Sequence, residues 1–195
     1  MDLREYPHIC VFGRPGSGKS TLARGISAFD GRPFMDLEDH YHSSHEYAAA
    51  GFDVEFSAAQ ERFMQNEQWV IAGIFPNSAE QLRMLERRFA ASDLVLLLDL
   101  PARLCLWRVL RRYPKVHGWL KREVFYKYYP KLAAAWFFQR LRGGFPSLCR
   151  IIYGRFRRLD LPAILALHEK YPDVKFVRLR SPHEVEEFMN RSTYT

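Results

Sequence analysis

Eight consecutive residues near the amino end constrain this chain more than any others: Gly13-Arg14-Pro15-Gly16-Ser17-Gly18-Lys19-Ser20, a G-x-x-x-x-G-K-S pattern with Thr21 behind it. Glycines let a backbone turn sharply and approach a ligand closely. Such a loop aims successive backbone N–H groups at an anion, and a helix that starts within it adds the positive end of its dipole. The side chains complete a polyphosphate cradle. Gly13 through Thr21 wrap the anion, the Lys19 ammonium neutralises its outer phosphates, and the Ser20 hydroxyl suits Mg2+. The pattern carries this meaning only between a strand and a helix. Here His8–Phe12 is a short β-rich run, and Thr21–Ala28 is compatible with helix.

The rest of the chain alternates in the same way. Arg32–Met35 reads as a second strand that ends in acids, Ser57–Gln65 as helix, and Trp69–Ala72 as a third strand. Ser78–Ala90 has Leu82, Leu85 and Phe89 at helical spacing. Leu94–Leu98 is apolar throughout and closes on Asp99, as expected of a central parallel strand covered on both sides. Pro101 opens a helix, Val174–Leu179 is a last strand, and Ser181-Pro182-His183-Glu184 is a capping-box helix start. Five strands interleaved with helices predict an α/β fold with a parallel, helix-covered sheet in one domain over 1–195.

Composition excludes several classes. With 195 residues, 48% hydrophobic and 26% charged, the chain matches an ordinary globular domain. Its three cysteines, Cys10, Cys105 and Cys149, form no C-x-x-C pair, which argues against a disulfide or zinc framework and suits a reducing cytoplasm. Cys10 is expected to be a buried small hydrophobe. A strand by residue 8 leaves no room for a signal peptide, so a cytoplasmic location is the expectation.

Charge is unevenly spread. Residues 101–160 hold fifteen Lys and Arg against two acids, Glu123 and Asp160, whereas the other residues are net acidic. Trp119, Tyr126, Tyr128, Tyr129, Trp136, Phe137 and Phe138 interleave with those bases. A basic, aromatic-rich stretch can bind single-stranded nucleic acid, or can form the small core and charged face of a lid. Leu132–Arg142 (LAAAWFFQRLR) is the segment a membrane surface would use, and membrane attachment is the least favoured of these readings.

Candidate catalytic groups cluster at strand ends. Asp36, Glu38 and Asp39 follow the second strand, at the edge where ligands bind in open α/β sheets. An acid there, Asp36 first, could serve Mg2+ or accept a proton from an attacking hydroxyl. Asp99 is a second candidate for the metal. His40, His42 and His45 have no metal-ligand spacing and read as substrate-contacting residues. Arg108 and Arg112 stand one turn apart, positioned for a base and a phosphate if their helix flanks the loop.

With these residues in hand, the chain resembles the adenylate-kinase-like P-loop kinases, and more closely the bacterial DNA topology modulation and adenylate-kinase-related group. The similarity rests on GRPGSGKSTLAR (Gly13–Arg24), WVIAG (Trp69–Gly73), DLVLLLDLPARLCLWRVLRR (Asp93–Arg112) and VRLRSPHEVEEF (Val177–Phe188). It implies a three-layer P-loop NTPase fold with strand order 2-3-1-4-5 and a nucleoside or nucleotide kinase activity. It also implies ATP with Mg2+, and Arg108 and Arg112 contacting adenine and phosphate. The basic 113–160 stretch falls at the place of a helical lid. One departure stands out. Ala72-Gly73 replaces the Asp-Gly expected after the third strand, which leaves the metal to Asp99 or the Asp36–Asp39 cluster, or leaves turnover weak or absent. Phosphotransfer to a small acceptor is the leading reading; an ATP-binding nucleic-acid-interacting protein is the alternative.

Overall fold

The computed structural model describes residues 1–43, 52–74, 78–109, 111 and 150–193. Strands β1 (His8–Gly13), β2 (Phe34–Asp36), β3 (Trp69–Ala72), β4 (Leu94–Leu98) and β5 (Lys175–Leu179) form one sheet in the order β2-β3-β1-β4-β5. Every neighbouring pair is parallel. This is the expected 2-3-1-4-5 order, and it places all the strands' carboxyl ends on one edge.

Helices α1 (Lys19–Asp30), α2 (Leu37–Ser43), α3 (Phe52–Phe63), α4 (Ala79–Ala90), α5 (102–109), α6 (Leu161–Lys170) and α7 (Pro182–Thr193) connect or follow the strands. Strand residues alternate between two cores, as side chains on a pleated backbone must. Ile9, Val11, Val70, Ala72, Leu94 and Leu96 face α1 through Leu22, Ala23 and Ile26, with Val185 and Phe188 of α7 packed alongside. Cys10, Phe12, Trp69, Ile71, Val95 and Leu97 face the opposite layer, built from Phe56 of α3, Leu85 and Phe89 of α4 and Ile164 of α6. All five residues of β4 are buried, consistent with its unbroken apolar run. At about 25 cal/mol per Å2 of apolar surface, each such side chain contributes roughly 1.5–3 kcal/mol. Three layers result, as expected. Among the described residues, no helix is long and apolar enough to cross a membrane.

Two local readings change. Arg32 is not in the second strand, which is only the three residues Phe34–Asp36. Its guanidinium is buried instead, paired with Asp30 and bonded to the carbonyls of Leu3, Tyr6 and Pro7, where it ties the amino end to the end of α1. On α4 the apolar face is rotated from the 82/85/89 stripe. Leu82 is 48% exposed, while Gln81, Met84, Leu85, Arg88 and Phe89 are buried. At the start of α7 Ser181 caps as read, with Glu184 N–H donating to Ser181 Oγ at 3.1 Å; the Glu184 carboxylate accepts one residue earlier than in a capping box, from Arg180 N–H at 2.8 Å.

Candidate functional site

The Gly13–Thr21 loop leaves β1 at its carboxyl end and enters α1 at Lys19. Gly18 caps α1 without a side chain, so no side-chain bond occupies the N–H groups of its first turn. Gly16 has φ +80, and a Cβ there would lie 2.4 Å from the Cys105 carbonyl oxygen and 2.8 Å from Val109 Cγ2. Only glycine permits α5 to pack this closely on the loop. Arg108 of α5 reaches the same loop and donates to the Ser17 carbonyl at 3.1 Å. Ser17 Oγ is buried beside Gly13, with no hydrogen-bond partner among the described residues.

Lys19 is almost fully buried, and its ammonium bonds Glu38 Oε1 at 2.7 Å. Glu38 is presented by the start of α2. There Asp36, at the end of β2, accepts the Glu38 backbone N–H at 3.0 Å. Asp36 is thus held by backbone, with its other oxygen 4.0 Å from the Arg24 guanidinium. Asp39 is exposed and pairs with Arg24 at 2.9 Å.

On the other side of the loop, Asp99 follows β4. Its Oδ1 accepts from Arg14 at 3.0 Å, and its Oδ2 accepts from Arg178 of β5 at 2.6 Å and 3.2 Å. Both oxygens are therefore bonded to guanidinium groups. The Arg14 guanidinium also lies 4.5 Å over the ring of Phe156, which belongs to the π-wound helix Arg150–Asp160. At its end, Asp160 is buried 3.7 Å from Arg155, and burial pushes its carboxyl above the ordinary aspartate range. Cys10 and Cys105 are both buried thiols, and burial pushes each up.

The fold thus brings Lys19, Asp36, Asp99 and Arg108 to one edge around the Gly13–Thr21 loop. Ala72 pairs in register with Asp36, so the position where an acid is expected lies beside Asp36. Immediately beyond it, Gly73 has φ +122, and its missing Cβ would stand 2.9 Å from Leu37 Cβ, which packs the β3 end against the start of α2. His40 is exposed and stacks on Phe56 with ring centroids 5.7 Å apart. Arg112, His45, the His42 side chain and the aromatic–basic stretch from Trp119 to Phe138 lie outside the described residues.

Sequence reasoning did not single out Arg88 or Arg178. Arg88 is fully buried and donates to the carbonyls of Gly73 at 3.1 Å and Ile74 at 2.8 Å. Burial lowers its pKa to about 10, so it is charged at neutral pH. Its place four residues after Met84 and three after Leu85, on the same helix face, was the available signal. For Arg178 there was none locally, because its partner is 79 positions away.

No protein-family model matches the chain, and no curated protein sequence does either. Among solved structures it is similar to shikimate kinase from Acinetobacter baumannii in complex with shikimate. That likeness has 16% identity and a TM-score of 0.54, over 97% of this chain and 92% of that one. It is also similar to shikimate kinase from Bacteroides thetaiotaomicron, at 17% identity and a TM-score of 0.50, over 95% of each chain. The chain therefore has the P-loop kinase fold seen in the shikimate kinases, with its glycine-rich loop at the edge where the strands end.

Proposed function

We propose that this protein is an ATP-dependent phosphotransferase acting on a small hydroxyl-bearing acceptor. The observation that carries the reading is the buried Lys19, set in a glycine loop between β1 and α1 and facing the acids at the end of β2. A buried ammonium needs an anionic partner, and a triphosphate is the anion this loop suits best. Two observations support this reading: Gly18 caps α1 without a side chain, and Ser17 Oγ is buried in the loop without a hydrogen-bond partner among the described residues.

ATP with Mg2+, when bound, supplies the phosphoryl group and the metal that offsets its charge. In this reading the chain's own residues do the positioning. The backbone from Gly13 to Thr21 and the Lys19 ammonium would hold the phosphates, and the Ser20 hydroxyl would bind the metal. Arg108 braces the loop through the Ser17 carbonyl and is assigned to the nucleotide in this reading. Asp36 is the carboxylate assigned to the metal or to the acceptor hydroxyl, in place of the absent acid at Ala72. Asp99 is assigned a bracing role, because two guanidiniums already occupy its oxygens. In this reading Arg112 is assigned to the phosphates and the basic 113–160 stretch to a lid. The closer tie to the DNA topology modulation group rests on the sequence blocks alone.

The test is ADP formation from ATP by wild type and Lys19→Ala, with Mg2+, across nucleosides, nucleotides and cyclic polyols including shikimate. Turnover with at least one acceptor, lost in Lys19→Ala, is expected. No acceptor-dependent ADP above the Lys19→Ala background would sink the reading.

A further inference from the structure

Lys19 has an anion within its own chain. Its side chain is 5% exposed, and Glu38 Oε1 sits 2.7 Å from Nζ. The two partners differ in what separation costs them. Lys19 cannot return to water, so removing its counter-charge strands a buried ammonium. The Glu38 side chain is 40% exposed and can return to water where it stands. Its backbone is anchored to Asp36, so the side chain alone need move.

We infer that Glu38 is a latch on the phosphate site: it holds Lys19 until a nucleotide phosphate displaces it, and only then is its carboxylate released at the β2 edge. This rests on the phosphotransferase reading and deepens it, because it sets an order of events. Donor phosphate and Glu38 compete for one lysine, so nucleotide affinity is lowered by the strength of that pair. Linkage is reciprocal. An acceptor hydroxyl that bonds the released Glu38 draws it from Lys19 and strengthens nucleotide binding. Donor and acceptor are then coupled through one side chain with two partners.

The experiment measures ATP binding to the full chain by titration calorimetry, once with Mg2+ and once with chelator, alongside the melting temperature of the ligand-free protein. Glu38→Gln and Glu38→Ala are expected to melt lower without ligand and to bind ATP roughly tenfold more tightly than wild type, in both conditions. Glu38→Asp, one methylene short of Lys19, folds with the charge retained and is expected to fall between. Asp39→Asn removes a neighbouring charge that pairs with Arg24 instead, and is expected to change affinity by no more than about twofold. Unchanged or weaker ATP binding in the Glu38 variants would overturn the latch, as would equal tightening by Asp39→Asn. A loss confined to the Mg2+ condition would also overturn it, by making Glu38 a metal-side group. Wild-type protein that binds no ATP would overturn the phosphotransferase reading and the latch together; wild-type binding without a gain in the variants overturns the latch alone.

Discussion

The Asp99 carboxylate receives Arg14 on one oxygen and Arg178 on the other, and its own side chain is only 15% exposed. A group so placed contributes through pairing, and removing its charge weakens its bonds to two guanidiniums at once. Asp99→Asn is therefore expected to lose about 3 kcal/mol of stability in urea unfolding, while the Mg2+ dependence of ATP binding stays as in wild type. Little stability change with loss of the Mg2+ response would return Asp99 to the metal. Asp160 makes the opposite kind of statement. Burial is the largest influence on its carboxyl and raises it, against the lowering effect of Arg155. The folded protein then keeps a proton that the unfolded chain releases near pH 4, so stability falls as pH rises from there toward the raised folded value. Asp160→Asn is expected to equal wild type near pH 3 and to exceed it increasingly above about pH 4. Parallel melting curves with no pH trend would contradict this.

Among the elements, α4 shows what a stripe of leucines can hide. Reading 82, 85 and 89 as the buried face places the helix, but the packed face turns toward 81, 84, 85, 88 and 89 and takes in a glutamine and an arginine. Gln81 bonds Ser57 of α3 and the Asp53 carbonyl, and Arg88 holds the end of β3, so polar groups sit where apolar ones are expected. Arg88→Met fills similar volume but leaves the Gly73 and Ile74 carbonyls unpaired. A loss of roughly 2–3 kcal/mol is expected in chemical denaturation. What local pattern carries was legible. Strands β3 and β4 fall where their apolar runs do, the glycine loop between β1 and α1 follows from eight residues, and Ser181 caps α7. Ser181→Ala is accordingly expected to cost about 1 kcal/mol, read as a lower denaturation midpoint. What was not legible is non-local. Arg14 and Asp99 are 85 positions apart, and no spacing rule brings them together. The short β2 was also misplaced, because Arg32 beside apolar residues looks like a strand until Asp30 is seen to capture it.

The sheet order gathers these pieces into one electrostatic arrangement. With β1 between β3 and β4, the loop that leaves β1 has the acids of the β2 end on one flank and the Asp99 brace on the other. Lys19 and Arg108 converge on the loop between them. Ligands that carry phosphate should therefore stabilise the fold in proportion to how many phosphates reach this edge. By mass action, a nucleotide at one hundred times its dissociation constant adds about 2.7 kcal/mol. For a chain of this length that is a rise in melting temperature of roughly 5–10 °C. The expected order is ATP above ADP above AMP at equal concentration, because in the proposed reading the outer phosphates would meet Lys19. The shift should shrink as salt rises, though less than for a fully exposed charge cluster, since Lys19 is buried. Lys19→Ala removes the buried ammonium and should flatten the series, leaving all three nucleotides with similar small shifts. Equal stabilisation by AMP and ATP in the wild-type protein would mean that recognition rests on the nucleoside, and that the glycine loop does not carry the binding.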